Sequence, residues 1–132
     1  MDPKPELLYH LLQNVATSFP SKQSFLKRDK VQGFVGISFS KLKENVDQLT
    51  AGWISIGLKP GDRVGFFCDA STNWLSMDLS ILSAGGVVVP RGTDIVDDEI
   101  LYILNHSEAK FLVVQKQKDY QRIINLKSQL PK

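Results

Sequence analysis

Apolar residues recur at helical spacing early in the chain: Leu7, Leu8, Leu11, Leu12 and Val15 form one stripe, predicting a helix from Glu6 to Ser18 closed by Phe19-Pro20. Two short extended segments follow, around Ser24-Phe25-Leu26-Lys27 and Gly33 to Ile37, with Asp29 to Gln32 as a polar turn, which predicts a small hairpin. Leu42, Val46, Leu49, Trp53 and Ile56 then keep to one helical face, so a helix is expected from Ser40 to Ile56. Ser38 or Ser40 can cap its start, and Gly57 supplies the left-handed residue that ends it. Leu58 to Asp62 contains Pro60-Gly61, a turn signal.

In the second half the period changes. Val64-Gly65-Phe66-Phe67 is a continuous apolar run inside Arg63 to Cys68, as in a strand buried on both faces. Asp69 or Ser71 can cap a helix from Thr72 to Ser83, which Ala84-Gly85-Gly86 terminates. Val87-Val88-Val89-Pro90 is too short and too β-branched to be anything but a second strand. Asp94 is expected to cap a further helix, with Asp97, Asp98 and Glu99 in its first turn and Ile100, Leu101, Ile103 and Leu104 in its body. Phe111 to Val114 reads as a third buried strand, and Asp119 to Leu126 as a last helix with a solvated, basic face. Strand, helix and strand within about thirty residues implies parallel pairing through a crossover. The fold class is therefore α/β: a partial doubly wound parallel sheet of about three strands, preceded by a helix and a small hairpin.

Composition adds mainly exclusions. The 132 residues carry 42% hydrophobic and 23% charged side chains, ordinary for a globular domain, with no apolar run long enough to span a membrane. A net charge of +2 is too small for a nucleic-acid footprint. The N-terminus lacks a secretory pattern, so a cytoplasmic location is expected. One cysteine, Cys68, in an apolar run reads as a buried reduced thiol, and His10 and His106 complete no metal set with it.

A parallel sheet binds ligands beyond the carboxyl ends of its strands, so Asp69 to Thr72, Arg91 to Asp94 and Gln115 onward are the candidate edges. They contain neither G-x-G-x-x-G nor G-x-x-x-x-G-K-S/T, and Ser71 lies in no nucleophile elbow. Asp97, Asp98 and Glu99 read as complements to a helix dipole, Trp53 as packing, and Gly85-Gly86 as helix termination. Arg91 is placed either to face a ligand crevice or to pair with Asp94 or Asp97. No catalytic set emerges from the residues themselves.

Three stretches in order carry a resemblance. Ile37-Ser38-Phe39-Ser40-Lys41-Leu42 is similar to a Leu/Ile-Ser/Thr-Tyr/Phe-x-x-Leu pattern, and Gly57-Leu58-Lys59-Pro60-Gly61-Asp62-Arg63-Val64 to a Gly-Leu-x-x-Gly-Asp-Arg-Val connector. Leu82-Ser83-Ala84-Gly85-Gly86-Val87-Val88-Val89-Pro90 is similar to Leu-x-Ala-Gly-x-x-x-x-Pro. Together they resemble the N-terminal portion of AMP-forming acyl-CoA synthetases of the adenylate-forming family, over roughly residues 5 to 115. Pro90-Arg91-Gly92-Thr93-Asp94 looks most like the bacterial long-chain fatty-acid–CoA ligases.

The resemblance implies that residues 1–132 are one N-terminal subdomain of a larger adenylate-forming domain. For the full-length enzyme it implies ATP-dependent conversion of a carboxylic acid to an acyl-adenylate, then thioester formation with coenzyme A, magnesium accompanying the ATP. The family's phosphate loop, nucleotide motifs and catalytic lysine lie downstream of the matched region. The fragment is therefore expected to bind no cofactor or metal, to hold no catalytic residue, and to be inactive alone. Arg91, Gly92 and Thr93 are the substrate-binding candidates, in the parent enzyme only. The expected partners are the small-molecule substrates, and the uncovered strands point to a homodimer. Two other readings stand beside this one: the same family acting on an aryl or other carboxylic acid, and a non-catalytic α/β interaction module.

Overall fold

The computed structural model describes residues 7–130. Helix α1 (Leu8–Ser18) precedes an antiparallel hairpin, β1 (Gln23–Asp29) and β2 (Gly33–Ser38), and then helix α2 (Phe39–Ser55). The expected start of α1 at Glu6 lies outside the described residues. The hairpin is longer than its apolar pattern suggested, because the Asp29 side chain closes the turn by accepting from the amides of Val31 and Gln32 at 2.8 and 2.9 Å. Of the two serines able to cap α2, Ser38 does so: its hydroxyl accepts from the Lys41 amide at 3.2 Å, which starts the helix at Phe39 rather than Ser40.

A parallel sheet follows, made of β3 (Arg63–Phe67), β4 (Val87–Arg91) and β5 (Phe111–Val114) in the order β4-β3-β5. Helix α3 (Thr72–Ser83) links β3 to β4, α4 (Asp97–Ser107) links β4 to β5, and α5 (Gln117–Leu126) with a short 3₁₀ turn ends the described chain. Parallel connections are of one hand. The first runs outward from β3 to the β4 edge and the second returns across β3 to the opposite edge, so the two must cross opposite faces. The packing bears this out. Val64, Val88, Phe111 and Val113 face Trp53, Met77 and Ile81 of α2 and α3, while Phe67, Leu112 and Val114 face Ile100 and Leu104 of α4 and Ile123 and Leu126 of α5. A third cluster, Leu12, Leu42 and Val46 with Phe25, Ile37, Leu75 and Leu79, seats α1 and the hairpin on the outer side of α2 and α3.

Helix α3 spans the expected Thr72–Ser83, and among the strands β3 comes closest to its reading, ending at Phe67 rather than Cys68. β3 is buried throughout except at Arg63, whereas β5, expected to be buried, is half-buried along its length because it is an edge. The caps of α4 also differ from expectation. Val96 occupies the N-cap with no side-chain acceptor, and the Glu99 carboxylate accepts from the Val96 amide at 3.3 Å. Asp94 is drawn instead to Arg91, at 3.0 Å. Helix α5 begins at Gln117, two residues before the expected Asp119.

Trp53 packs as predicted. Its Nε1–H donates to the fully buried Ser80 hydroxyl at 3.1 Å, and its ring meets Phe111 edge-on at 5.8 Å between centroids. At the amino end of the sheet, Asp62 accepts from the Lys110 ammonium at 2.6 Å and from the Lys59 amide at 3.0 Å. These donors, Lys110 foremost, hold the Asp62 carboxyl below the usual carboxylate range.

Candidate functional site

The exits of β3 and β5 diverge. The chain leaving β3 turns to α3 on one face of the sheet, and the chain leaving the adjacent β5 turns to α5 on the other. Such a switch of direction opens a crevice between neighbouring strands at their carboxyl ends, where open α/β sheets take ligands. Here it is bordered by Cys68 to Ser71, by Gln115 and Lys116, and, beyond β3, by Arg91 to Asp94. All three candidate edges therefore gather at one end of the sheet.

Asp69 connects them. Its carboxylate accepts from the Thr93 hydroxyl at 2.7 and 2.8 Å, from the Thr93 amide at 3.1 Å, and from the Lys116 ammonium at 3.5 Å. Its own amide donates to Gln115 Oε1 at 2.9 Å. The Thr93 hydroxyl, more than Lys116, holds the Asp69 carboxyl below its ordinary value. Sequence reasoning offered Asp69 as a helix cap and as part of a candidate edge; the cap is Ser71, whose hydroxyl accepts from the Trp74 amide at 3.1 Å. Nothing local in sequence could reveal the Asp69 contacts, because its partners stand 24 and 46 or more residues away.

The substrate-binding candidates Arg91, Gly92 and Thr93 lie on this rim. Arg91 ends β4 and pairs with Asp94 at 3.0 Å and Glu99 at 3.6 Å. Asp97, the other partner considered, pairs with Arg122, whose guanidinium also donates to the Ile95 carbonyl at 2.7 Å. At Gly92 the one close neighbour of a Cβ would be the exposed Asp94 carboxylate, 2.9 Å away, which can swing aside. Cys68 is half-buried rather than buried, with its Sγ 3.9 Å from the Val113 carbonyl. Burial, then the charges of Asp119 and Asp69, push its thiol up to about 11, so it is no thiolate nucleophile at neutral pH.

Two open grooves flank the crevice. One of about 220 Å³ is lined by Phe66, Trp74, Met77, Val113, Asn73 and Gln115; the other, about 570 Å³, lies between β1 and the start of α3 and also reaches Gln115. Phe66 and Trp74 stack at 5.4 Å, forming an aromatic floor. Among the described residues no group of three or more His, Cys, Asp or Glu side chains could hold a metal ion, and the three rim segments form no glycine-rich phosphate cradle.

The sheet, its crossovers and its rim define an α/β domain of the open parallel class. The profile of a family described as "AMP-binding enzyme" matches residues 12–132, and the chain belongs to that adenylate-forming family. It is 35% identical over 96 residues to the human medium-chain acyl-CoA ligase ACSF2, mitochondrial, an alignment covering 73% of this chain and 16% of that one. It is 30% identical over 87 residues, 66% of this chain and 12% of the other, to a chloroplastic long-chain-fatty-acid–acyl-carrier-protein ligase of Arabidopsis thaliana. In fold it is similar to the anthranilate CoA ligase AuaEII in complex with anthranoyl-AMP (TM-score 0.84, 21% identity, 98% of this chain and 24% of that one). It is also similar to the N-terminal domain of FACL13 from Mycobacterium tuberculosis (TM-score 0.80, 18% identity, 94% and 30%).

The chain thus spans less than a fifth of the length of these curated ligases. No described helix is long and apolar enough to cross a membrane. The mitochondrial and chloroplastic names of these relatives lend the expected cytoplasmic location no support.

Proposed function

We propose that residues 1–132 are the N-terminal scaffold subdomain of an AMP-forming acyl-CoA ligase that activates a fatty acid. The family match across residues 12–132 carries this reading, and the three ordered motifs support it. In the whole enzyme the acid would be activated to an acyl-adenylate and passed to coenzyme A. The part played by this chain is architectural: its sheet presents Arg91, Gly92 and Thr93 at the carboxyl edge, where they would meet the acid or the thiol. The fragment alone is inactive on this reading, because its rim holds no glycine-rich phosphate loop to gather donors around a phosphoryl centre.

A second acid class has one observation in its favour, the similarity in fold to an anthranilate CoA ligase. Pyrophosphate release from ATP, magnesium and coenzyme A, with a fatty acid or an aromatic acid, tests both. Release is expected only from the product of a reading frame longer than 132 residues, and with the fatty acid. Activity with the aromatic acid alone replaces the substrate class; activity with neither moves the protein to a non-catalytic interaction module; turnover by the short chain overturns the scaffold reading.

The isolated chain should also self-associate. β4 and β5 are open sheet edges, and the hairpin exposes Leu26 and Phe34 at 56% and 71%. Light scattering across a dilution series is expected to show a mass that rises with concentration towards the dimer. A monomer mass at every concentration would refute this.

A further inference from the structure

We propose that Asp69 is a positioning residue, a clasp that ties the loops after β3, β4 and β5 into one mouth for the crevice. Three loops from distant parts of the chain meet on this one residue, through both carboxylate oxygens and through its backbone amide. Thr93 is held twice, by its hydroxyl and its amide, so both its position and its side-chain rotamer are set by Asp69. Gln115 is held by its side-chain oxygen, which leaves its amide N–H₂ as the donor end beside both grooves.

Arg122 of α5 separately ties α5 to Ile95 and Asp97 of the β4–α4 connection, but it does not reach the β3 exit, and the other neighbouring contacts do not duplicate the clasp. Arg91 is bound to Asp94 and Glu99, both on the β4–α4 side, and these pairs stiffen that loop without joining it to the others. The Cys68 amide donates to the Arg91 carbonyl at 3.1 Å, which continues the β3–β4 ladder by one rung and stops there. Past that rung, Asp69 is the link between the β3 and β4 exits, and with the long Cys68 thiol contact it joins the β3 exit to β5. The clasp lies in the order sheet, rim, ligand: it would act on a substrate through Thr93 and Gln115 and would not touch it. That consequence rests on the proposed role of residues 91–93, whereas the clasp itself does not.

Site-resolved amide hydrogen exchange on the 132-residue chain tests it, comparing Asp69→Ala, Thr93→Val and Thr93→Ser with the parent sequence. Asp69→Ala removes the acceptor of the Thr93 amide, and Thr93→Val removes the hydroxyl that anchors that acceptor, so each is expected to speed exchange at the residue-93 amide roughly tenfold, with the α3 amides unchanged. Thr93→Ser keeps the hydroxyl and should restore protection to within about threefold of the parent. Unchanged exchange at Thr93 in Asp69→Ala, or Thr93→Ser exchanging as fast as Thr93→Val, overturns the clasp. If Asp69→Ala unfolds the chain, the Val and Ser variants at the half-buried Thr93 decide by themselves. The functional reading fails separately: in an active longer enzyme, Arg91→Ala with unchanged kcat/KM removes the substrate-facing role of the rim and leaves the exchange result standing.

Discussion

Phe66→Ala should destabilise the chain by about 3–5 kcal/mol, the cost of removing a fully enclosed aromatic from a core that can relax only partly. Phe66 is 1% exposed near the carboxyl end of the central strand, with Trp74 stacked on it at 5.4 Å. Both neighbouring strands hydrogen-bond to β3, so the backbone has little freedom to close the cavity. A loss of this size is comparable with the whole stability of many small domains, and the variant is expected to be largely unfolded without denaturant. Phe34 supplies an internal control: it is 71% exposed on the hairpin, and its replacement by Ala should stay within about 0.5 kcal/mol. Urea titrations of both variants check the pair. Equally large losses would mean that the hairpin face is covered in solution; equally small ones would mean that β3 is not the centre of the core.

Gly85→Val should cost roughly 2–4 kcal/mol, from two sources that add at one residue. The backbone there is left-handed, with φ at 83°, a conformation that penalises any Cβ and a β-branched one most. A Cβ would also stand 3.2 Å from Pro60 Cα, backbone that cannot swing aside as the end of a side chain can. Moving Pro60 would strain the 2.8 Å bond from the Gly61 amide to the Gly85 carbonyl, which fastens the connector before β3 to the turn before β4. Thermal unfolding should show the drop, and Gly52→Ala, in helix α2 where a Cβ meets nothing within 4 Å, should be neutral or slightly stabilising. A Gly85→Val chain as stable as the parent would remove the physical reason for the glycine in the Leu-x-Ala-Gly motif. The motif is thus read as a packing requirement between two turns, independent of any ligand.

The elements of this protein were legible in its sequence because each rests on local physics. The Leu42, Val46 and Trp53 stripe, the apolar run of β3, the β-branched β4 and the Gly85 stop are all short-range patterns, and all stand in the structure where they were read. The motif order further pointed to the adenylate-forming family, which the match over residues 12–132 shows. Where local rules offered equal choices, the sequence could not choose. Ser38 and Ser40 are both able to cap α2, and Asp69 and Ser71 are both able to cap α3; the choice fell to Ser38 and Ser71.

What only the tertiary structure decided is which side chains meet across the sheet's carboxyl edge. Asp94 was read both as a cap for α4 and as a partner for Arg91; the fold gave it the second place and left the N-cap to Val96. Asp69 was read as a possible cap and became the meeting point of three loops, since strand order β4-β3-β5 sets its exit between the other two. Strand order and the burial of edges follow from the sum of many weak contacts over the whole chain. No window of neighbouring residues contains that sum, so the rim had to be seen assembled.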